Sequence, residues 1–281
     1  PHHLIMSTLV IARLTFREAI RRKIVLAALA LGALFLIVYG VGYSFIEQEL
    51  QREMASVLER NEVRTFILTA GLYVVNFLMV MLTVLTSVDT LAGEIGSGTI
   101  HAIAAKPLRR LDIILGKWMG FAAMLTLYLL LMAGGVMGVV YLLSGVIVPH
   151  AAQGLTLMWL NVLLLLAVML LGGAMLSTLT NGVMVFGLYA IAFIGGWIEH
   201  IGSFLQSQMA INIGIISSLI FPSEALWRRA AYEMQSLLVA ATGFSPFSAL
   251  SAPSPLMVGY AVLYAAVALV LAVRVFNRRD L

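Results

Sequence analysis

Residues 118–198 read WMGFAAMLTLYLLLMAGGVMGVVYLLSGVIVPHAAQGLTLMWLNVLLLLAVMLLGGAMLSTLTNGVMVFGLYAIAFIGGWI, 81 positions without one Asp, Glu, Lys or Arg. A bilayer-spanning helix needs about 20 largely apolar residues, so this run has room for three. Working outward, residues 234–273 form another uncharged run of 40, and residues 24–46 and 65–88 form two shorter ones. Over the 281 residues, 62% are hydrophobic and 11% charged, whereas soluble domains carry about 25% charged residues. Such a chain cannot cover its surface with polar groups. The composition excludes a soluble enzyme, a nucleic-acid-binding domain and, with no cysteine, a disulfide scaffold or a thiolate site. The fold class it predicts is all-α and polytopic.

Turn signals divide the apolar runs into six spans of about 24–46, 65–88, 118–143, 155–179, 183–198 and 256–273, together one transmembrane domain over 1–281. Pro149 and His150 separate spans three and four, and Thr180-Asn181-Gly182 reads as the turn between four and five. Residues 47–64, which lack Gly and Pro, have helical character and read as a solvated hairpin connector. Six spans place both termini on one side. That side receives twelve of the seventeen Lys and Arg, and the other receives Arg52, Arg60, Arg64, Arg228 and Arg229. By the positive-inside rule the twelve-residue side is cytoplasmic.

Two flanking segments read as interfacial. Leu9, Ala12, Phe16 and Ala19 recur at helical spacing beside a stripe of Arg13, Arg17 and Arg21. This pattern predicts a helix lying on the cytoplasmic surface, with its arginines among lipid phosphates and Lys117 also at headgroup level. Before the last span, residues 204–221 are apolar enough to dip into the membrane. A seventh full crossing would put the arginine-rich C-terminus outside, so a re-entrant or interfacial segment is expected. Trp227, Ala230, Ala231, Met234 and Leu238 then mark one face of an outer amphipathic helix. Arg228, Arg229 and Glu233 mark its other face, and Ser223 is a candidate N-cap with Glu224 in the first turn.

Chemistry-bearing motifs are scarce. The five histidines show no ligand spacing, no phosphate-binding loop occurs, and Ser97 lies in a glycine-rich stretch with no base motif nearby. No catalytic residue, cofactor or metal is expected in this chain. Ion-coupled carriers need ionisable groups at membrane depth, and here the polar groups inside spans are neutral. Asn76 and Asn161 are candidates for a polar pathway, or for an interhelical hydrogen bond worth about 0.6–2 kcal/mol. The polar island at residues 89–117 stands apart. After a glycine hinge at Gly96 and Gly98, Thr99 can cap about two turns of helix that Pro107 ends. A short, rigid, partly apolar helix between two spans suits docking into a groove of another protein.

At these residues the chain resembles the type-2 ABC-transporter permeases, the membrane subunits of bacterial ABC exporters. In that family an acidic residue precedes Gly-Thr, a short helix, a basic-Pro-x-x-Arg element and a Gly-Lys entering the third span. Here these are Glu94, Gly98-Thr99, Lys106-Pro107-Leu108-Arg109-Arg110 and Gly116-Lys117. The N-terminal basic helix, the segment 222–227 and the basic ending 274–281 also resemble the family, in order along nearly the whole chain. The resemblance implies a half-transporter in the bacterial cytoplasmic membrane. A second permease subunit, identical or not, would pair with it, and each would dock one soluble ATPase carrying the ATP and Mg. A coupling helix would comprise Glu94, Gly98, Thr99, Ile100, Ile103, Lys106, Pro107, Arg109 and Arg110. Readings of a different class are an ATP-independent carrier or channel, and a non-transporting anchor or assembly factor.

Overall fold

The computed structural model describes residues 2–53, 56–96, 109–235 and 253–278, without the side chains of 2–6, 53 and 95. Among these residues the chain is helical with no strand, and six helices are long and apolar enough to cross a membrane. It is an all-α polytopic membrane protein. The helices are α1 His2–Arg21, α2 Lys23–Glu53, α3 Val57–Ser87, α4 Ala92–Gly96, α5 Arg110–Ser144, α6 Ala151–Met175, α7 Thr178–Phe204, α8 Gln208–Ile220, α9 Ser223–Met234 and α10 Pro255–Arg278. The spans are α2, α3, α5, α6, α7 and α10.

Helix α6 is the centre. From Asn161 to Leu170 every residue is buried, so no face of the helix is left for lipid. A helix that is apolar all round is stable only when enclosed. Helices α3, α5, α7, α9 and α10 all pack against it. Helix α2 is its opposite, packing on α3 and α5 but leaving Leu31, Leu34, Ile37 and Val38 exposed as a lipid-facing stripe. Tyrosine hydroxyls pin this outer helix to the bundle. Tyr39 donates to the Ile67 carbonyl at 3.2 Å, Tyr43 to Ser144 Oγ at 2.8 Å, and Tyr128 of α5 to the Ala28 carbonyl at 3.1 Å.

The helices run further than apolar length alone predicts. Helix α2 continues to Glu53 and α3 begins at Val57, so most of the expected connector is helix, with Ser56 Oγ capping the amides of Leu58 and Glu59. Buried Glu47 and half-buried Arg64 make this possible. Arg64 Nε donates to Glu47 Oε2 at 2.9 Å and a second nitrogen pairs with Oε1. Thr180-Asn181-Gly182 is not the turn. The break falls at Leu176–Ser177, and Ser177 caps α7. Asn181 is helical and buried because its Nδ2 donates to the Met169 carbonyl at 3.0 Å. Between α5 and α6, Gly145 takes the left-handed conformation, φ 71°, that ends a helix.

Helix α1 does not merely lie on a surface. It packs lengthwise on the start of α5 with Thr8, Ile11, Ala12, Thr15 and Ala19 inward, while Leu9 is 52% exposed and belongs to the outer face. The inward face is set by two glycines four residues apart on α5. A Cβ at Gly116 would lie 2.7 Å from the Ile11 side chain, and one at Gly120 would lie 2.6 Å from the Ala12 carbonyl oxygen. Arg13, Arg17 and Arg21 are exposed. Asp112, in the first turn of α5, accepts from Ser7 Oγ at 3.0 Å and Thr8 Oγ1 at 2.8 Å. Arg110 donates to the carbonyls of Phe276 at 2.6 Å and Asn277 at 3.1 Å. The two ends of the chain therefore meet at the start of α5, and we refer to this as the terminal end of the bundle.

At Gly120 the neighbouring atom is backbone and cannot swing aside. Gly120→Val is expected to force α1 off α5 and to cost about 1–3 kcal/mol. Faster tryptic cleavage at Arg13 and Arg17 in detergent would report the release, and an unchanged cleavage rate would refute the close-packing account.

Candidate functional site

The described polar groups gather at two levels. At the terminal end, α3 runs out at Ser87, and a short turn leads into α4, which points at residues 97–108. Three ties hold this turn. Thr178 Oγ1 of α7 donates to Asp89 Oδ1 at 3.1 Å. Leu91 and Ala92 lie against Gly173 of α6, where a side chain would approach the Leu91 Cβ to 3.3 Å. Glu94 Oε1 meets Lys117 Nζ of α5 at 2.5 Å. A fourth tie comes from before α2, where Arg22 donates to the Thr86 carbonyl at 2.9 Å, pairs with Glu18 and stands over the Phe121 ring.

Lys117 is therefore turned into the protein rather than out to lipid headgroups. Its side chain is 7% exposed and its ammonium is spent on Glu94, because α5 begins eight residues earlier than its apolar run and carries Lys117 into the packed region. Of the expected coupling residues, Glu94, Arg109 and Arg110 are described. Glu94 faces inward to Lys117, Arg110 ties α5 to the end of α10, and only Arg109, the residue before α5, is exposed. Gly98, Thr99, Ile100, Ile103, Lys106 and Pro107 lie outside the described residues. The Glu94–Lys117 pair could not be read from the sequence, although an acidic residue and a lysine flanking one glycine-hinged island were a visible signal for it.

The second level is toward the opposite end. Asn161 Nδ2 of α6 donates to Asn76 Oδ1 of α3 at 3.2 Å, and Ser223 Oγ of α9 donates to Asn161 Oδ1 at 2.7 Å. All three residues are buried. The two asparagines thus join into one interhelical chain inside the bundle. Ser223 is not an N-cap. The residue before α9 is Pro222, which has no side chain to cap with, and the Ser223 hydroxyl is used across the bundle instead.

Helices α8 and α9 form a pair bent by 109° at the end of the bundle away from the termini. Trp227, Ala230, Ala231 and Met234 are buried against the bundle, with the Trp227 ring 5.3 Å from that of Tyr73, whereas Leu238 lies outside the described residues. Arg228 departs from the solvated face assigned to it. It is buried and grips Glu199 of α7 through two nitrogens, at 2.6 and 2.8 Å, with Ser218 Oγ of α8 at 3.3 Å from one of them. Small residues make the seat. Gly195, Gly196 and Gly214 stand where Ser217, Glu224 and Glu199 would otherwise collide with side chains. Arg229 and Glu233, on the outer side, pair at 2.6 Å.

Glu224 is the exception to this pairing. It is buried and one of its carboxyl oxygens, Oε2, has no hydrogen-bond partner. Helix α9 lies outside the six spans, and burial pushes this carboxyl up to about 8, with Arg228 pulling it down. Tyr73 of α3 and Tyr189 of α7 face it as well. Among the described residues no three His, Asp or Glu side chains converge where a metal could sit.

The described residues thus form six membrane helices, a short helix after α3 and a bent helical pair before the last span. The family described as ABC-2 family transporter protein matches residues 9–281, and the chain belongs to it. It is a multi-pass permease of the ABC-transporter class. Membership in general implies an ABC-type ATPase as partner, with the permease itself a membrane component. No curated protein matches the chain.

Two outcomes follow. Lys117→Met leaves the Glu94 carboxylate without its ammonium. The expected loss is up to about 3 kcal/mol, at the low end for a broken buried pair because Glu94 is one-fifth exposed. Thermal unfolding in detergent should show Glu94→Gln/Lys117→Met recovering part of that loss, and a double variant as unstable as the sum of the singles would dismiss the pair as a structural tie. For Glu224 the folded carboxyl titrates above its ordinary 4.5, so the folded chain holds the proton more tightly than the unfolded chain. This contribution to stability is full below about pH 4.5, falls as the pH rises toward about 8, and levels off beyond. Glu224→Gln should flatten that slope in a pH series of unfolding temperatures.

Proposed function

We propose that the chain is the membrane-spanning half of an ATP-driven exporter in a bacterial cytoplasmic membrane. It pairs with a second permease subunit, and two soluble ATPases supply the ATP and Mg chemistry. Both termini lie in the cytoplasm, which is the orientation favoured by twelve basic residues at the terminal end against five at the other. Residues 98–106, with Glu94 and Pro107 at their flanks, dock the ATPase as a coupling helix. Ile100 and Ile103 supply its apolar contact, and Lys106 and Arg109 its charge.

The observation that carries this reading is the anchoring of α4. The segment leading into residues 97–108 is tied to α5 by Glu94–Lys117, to α6 at Gly173 and to α7 by Asp89–Thr178. A push delivered to the loop would reach three spans at once through an ion pair, a backbone contact and a hydrogen bond. Such wiring is of no use to a passive loop. The substrate would pass between α3 and α7 of the two subunits, with the α8–α9 hairpin closing the outer side. Arg13, Arg17 and Arg21 hold α1 among lipid phosphates while α5, on which it packs, moves.

One observation favours a second reading, a proton-coupled carrier: Glu224 is a buried carboxyl without a paired cation of its own. Vesicle experiments separate the two. With a partner ABC ATPase that co-purifies with the chain co-reconstituted, ATP-dependent substrate movement is expected, and Ile100→Asp/Ile103→Asp should abolish both co-purification and movement. Full transport driven by a pH gradient with no ATPase present would overturn the exporter reading.

A further inference from the structure

On the lipid-facing side of the bundle, α6, α7 and α10 leave a crevice of about 620 Å³. Leu171 and Met175 of α6, Met184 and Leu188 of α7, and Val267 and Leu271 of α10 line it. Its polar atoms are few. The Tyr260 hydroxyl, at the end away from the termini, donates to the Leu219 carbonyl at 2.5 Å, and the Tyr264 ring stacks edge-on against Phe221. A water needs two or more polar partners to stay in such a space, so the crevice does not hold water. Left empty, its walls would forfeit their dispersion contacts. From Tyr260 to Leu271 the lining runs eleven residues of helix, about 16 Å at the helical rise, parallel to the bilayer normal as an acyl chain is.

Apolar filling alone would not distinguish one lipid from another, because bulk tails are as apolar as the crevice. The charge pattern of α10 does. Val267, Leu271 and Arg274 follow one another at spacings of four and three, so Arg274 continues the lining face past the end of the crevice, and Arg278 follows four residues on. Both arginines are exposed, and neither has an ion-pair or hydrogen-bond partner among the described residues. Arg22, Arg110 and Lys117 at this level are engaged, and the exposed Arg13, Arg17, Arg21, Lys23 and Arg109 belong to α1, α2 or the residue before α5, none of which lines the crevice.

We propose that this crevice binds an anionic phospholipid of the leaflet at the terminal end, with one acyl chain lying between α6, α7 and α10 and the headgroup phosphate held by Arg274 and Arg278. The site is independent of the direction of transport and of the ATPase. Its role is to complete the packing of α10, which touches the bundle mainly through α6. It also fixes the height of the α10 end to which Arg110 of α5 is bonded.

The test uses the full chain in nanodiscs doped with phosphatidylglycerol or phosphatidylcholine carrying a diazirine on one acyl chain, followed by photolysis and peptide mapping. Labelling should concentrate on residues 168–188 and 260–271. The phosphatidylglycerol probe is expected to exceed the phosphatidylcholine probe there by on the order of tenfold, as two surface arginines imply. Arg274→Gln/Arg278→Gln should erase that excess. Val267→Trp and, separately, Leu263→Trp should suppress crevice labelling while leaving labelling of exposed Leu31, Leu34 and Ile37 on α2 intact, which also shows that the variants remain folded. Labelling spread evenly over α2 and the crevice would overturn the proposal. So would equal labelling by the two probes, or protection of the crevice peptides by a second copy of the chain.

Discussion

Ten consecutive buried residues of α6, from Asn161 to Leu170, set the terms for everything around them. A bilayer offers no hydrogen bonds, and a helix sunk in protein within a bilayer offers its side chains no water. Every neighbour of α6 must therefore present an apolar or small surface, or bring a partner for whatever polar atom it exposes. The chain meets this demand economically. Glycines at 172 and 173 admit Asn181 and the Leu91–Ala92 turn, and the one strongly polar group at the outer end of the buried stretch, Asn161, is satisfied by Asn76 on one side and Ser223 on the other. That hydrogen-bond chain fastens the α8–α9 hairpin to two spans, so the outer closure of the bundle is specified from its axis rather than from its rim.

The same rule disposes of the charges. Glu47 with Arg64, Glu94 with Lys117 and Glu199 with Arg228 are three ion pairs drawn into the bundle, each joining elements that are distant in sequence or separated by a turn. Pairs of this kind add little net stability, since desolvation offsets their attraction. They are costly to break, and so they fix which helix sits beside which. Their positions matter more than their strength. One holds the α2–α3 hairpin, one holds the turn after α3 on α5, and one holds the α8–α9 pair on α7. Helix α7 is therefore gripped at both ends, by Asp89 through Thr178 near its start and by Arg228 through Glu199 near its finish. Motion at either end of that span is felt at the other through a continuous helix.

Fold class, span number and the order of elements were legible in the sequence because they follow from where charges are absent, and absence over 81 residues has few physical explanations. The apolar face of α9 was legible for a related reason, since helical spacing of Trp227, Ala230, Ala231 and Met234 survives whatever they pack against. Pairing was not legible. Arg228 and Lys117 look like solvated or headgroup residues in a linear reading, and they become buried only because Glu199 and Glu94 arrive from elsewhere in the chain. Thr180-Asn181-Gly182 has turn composition, yet a buried carbonyl at Met169 offers Asn181 a better partner than a turn would, and Ser177 supplies the cap earlier. Local chemistry gave the wrong boundary where a tertiary hydrogen bond outweighed it.

Glu224 marks the point where the rule is not fully obeyed. Its neighbours are arranged to receive a side chain of that size, since Gly196 leaves the space, yet one carboxyl oxygen has no donor. An acid held neutral by burial needs no cation, which explains how it coexists with a bidentate Arg228–Glu199 pair one turn away without drawing the arginine off. If the hairpin were to open, water would reach Glu224, the acid would ionise, and Arg228 would then have two carboxylates to choose between. Burial of Glu224 and the integrity of the Arg228–Glu199 pair therefore go together: a neutral acid beside the arginine leaves that pair undisturbed.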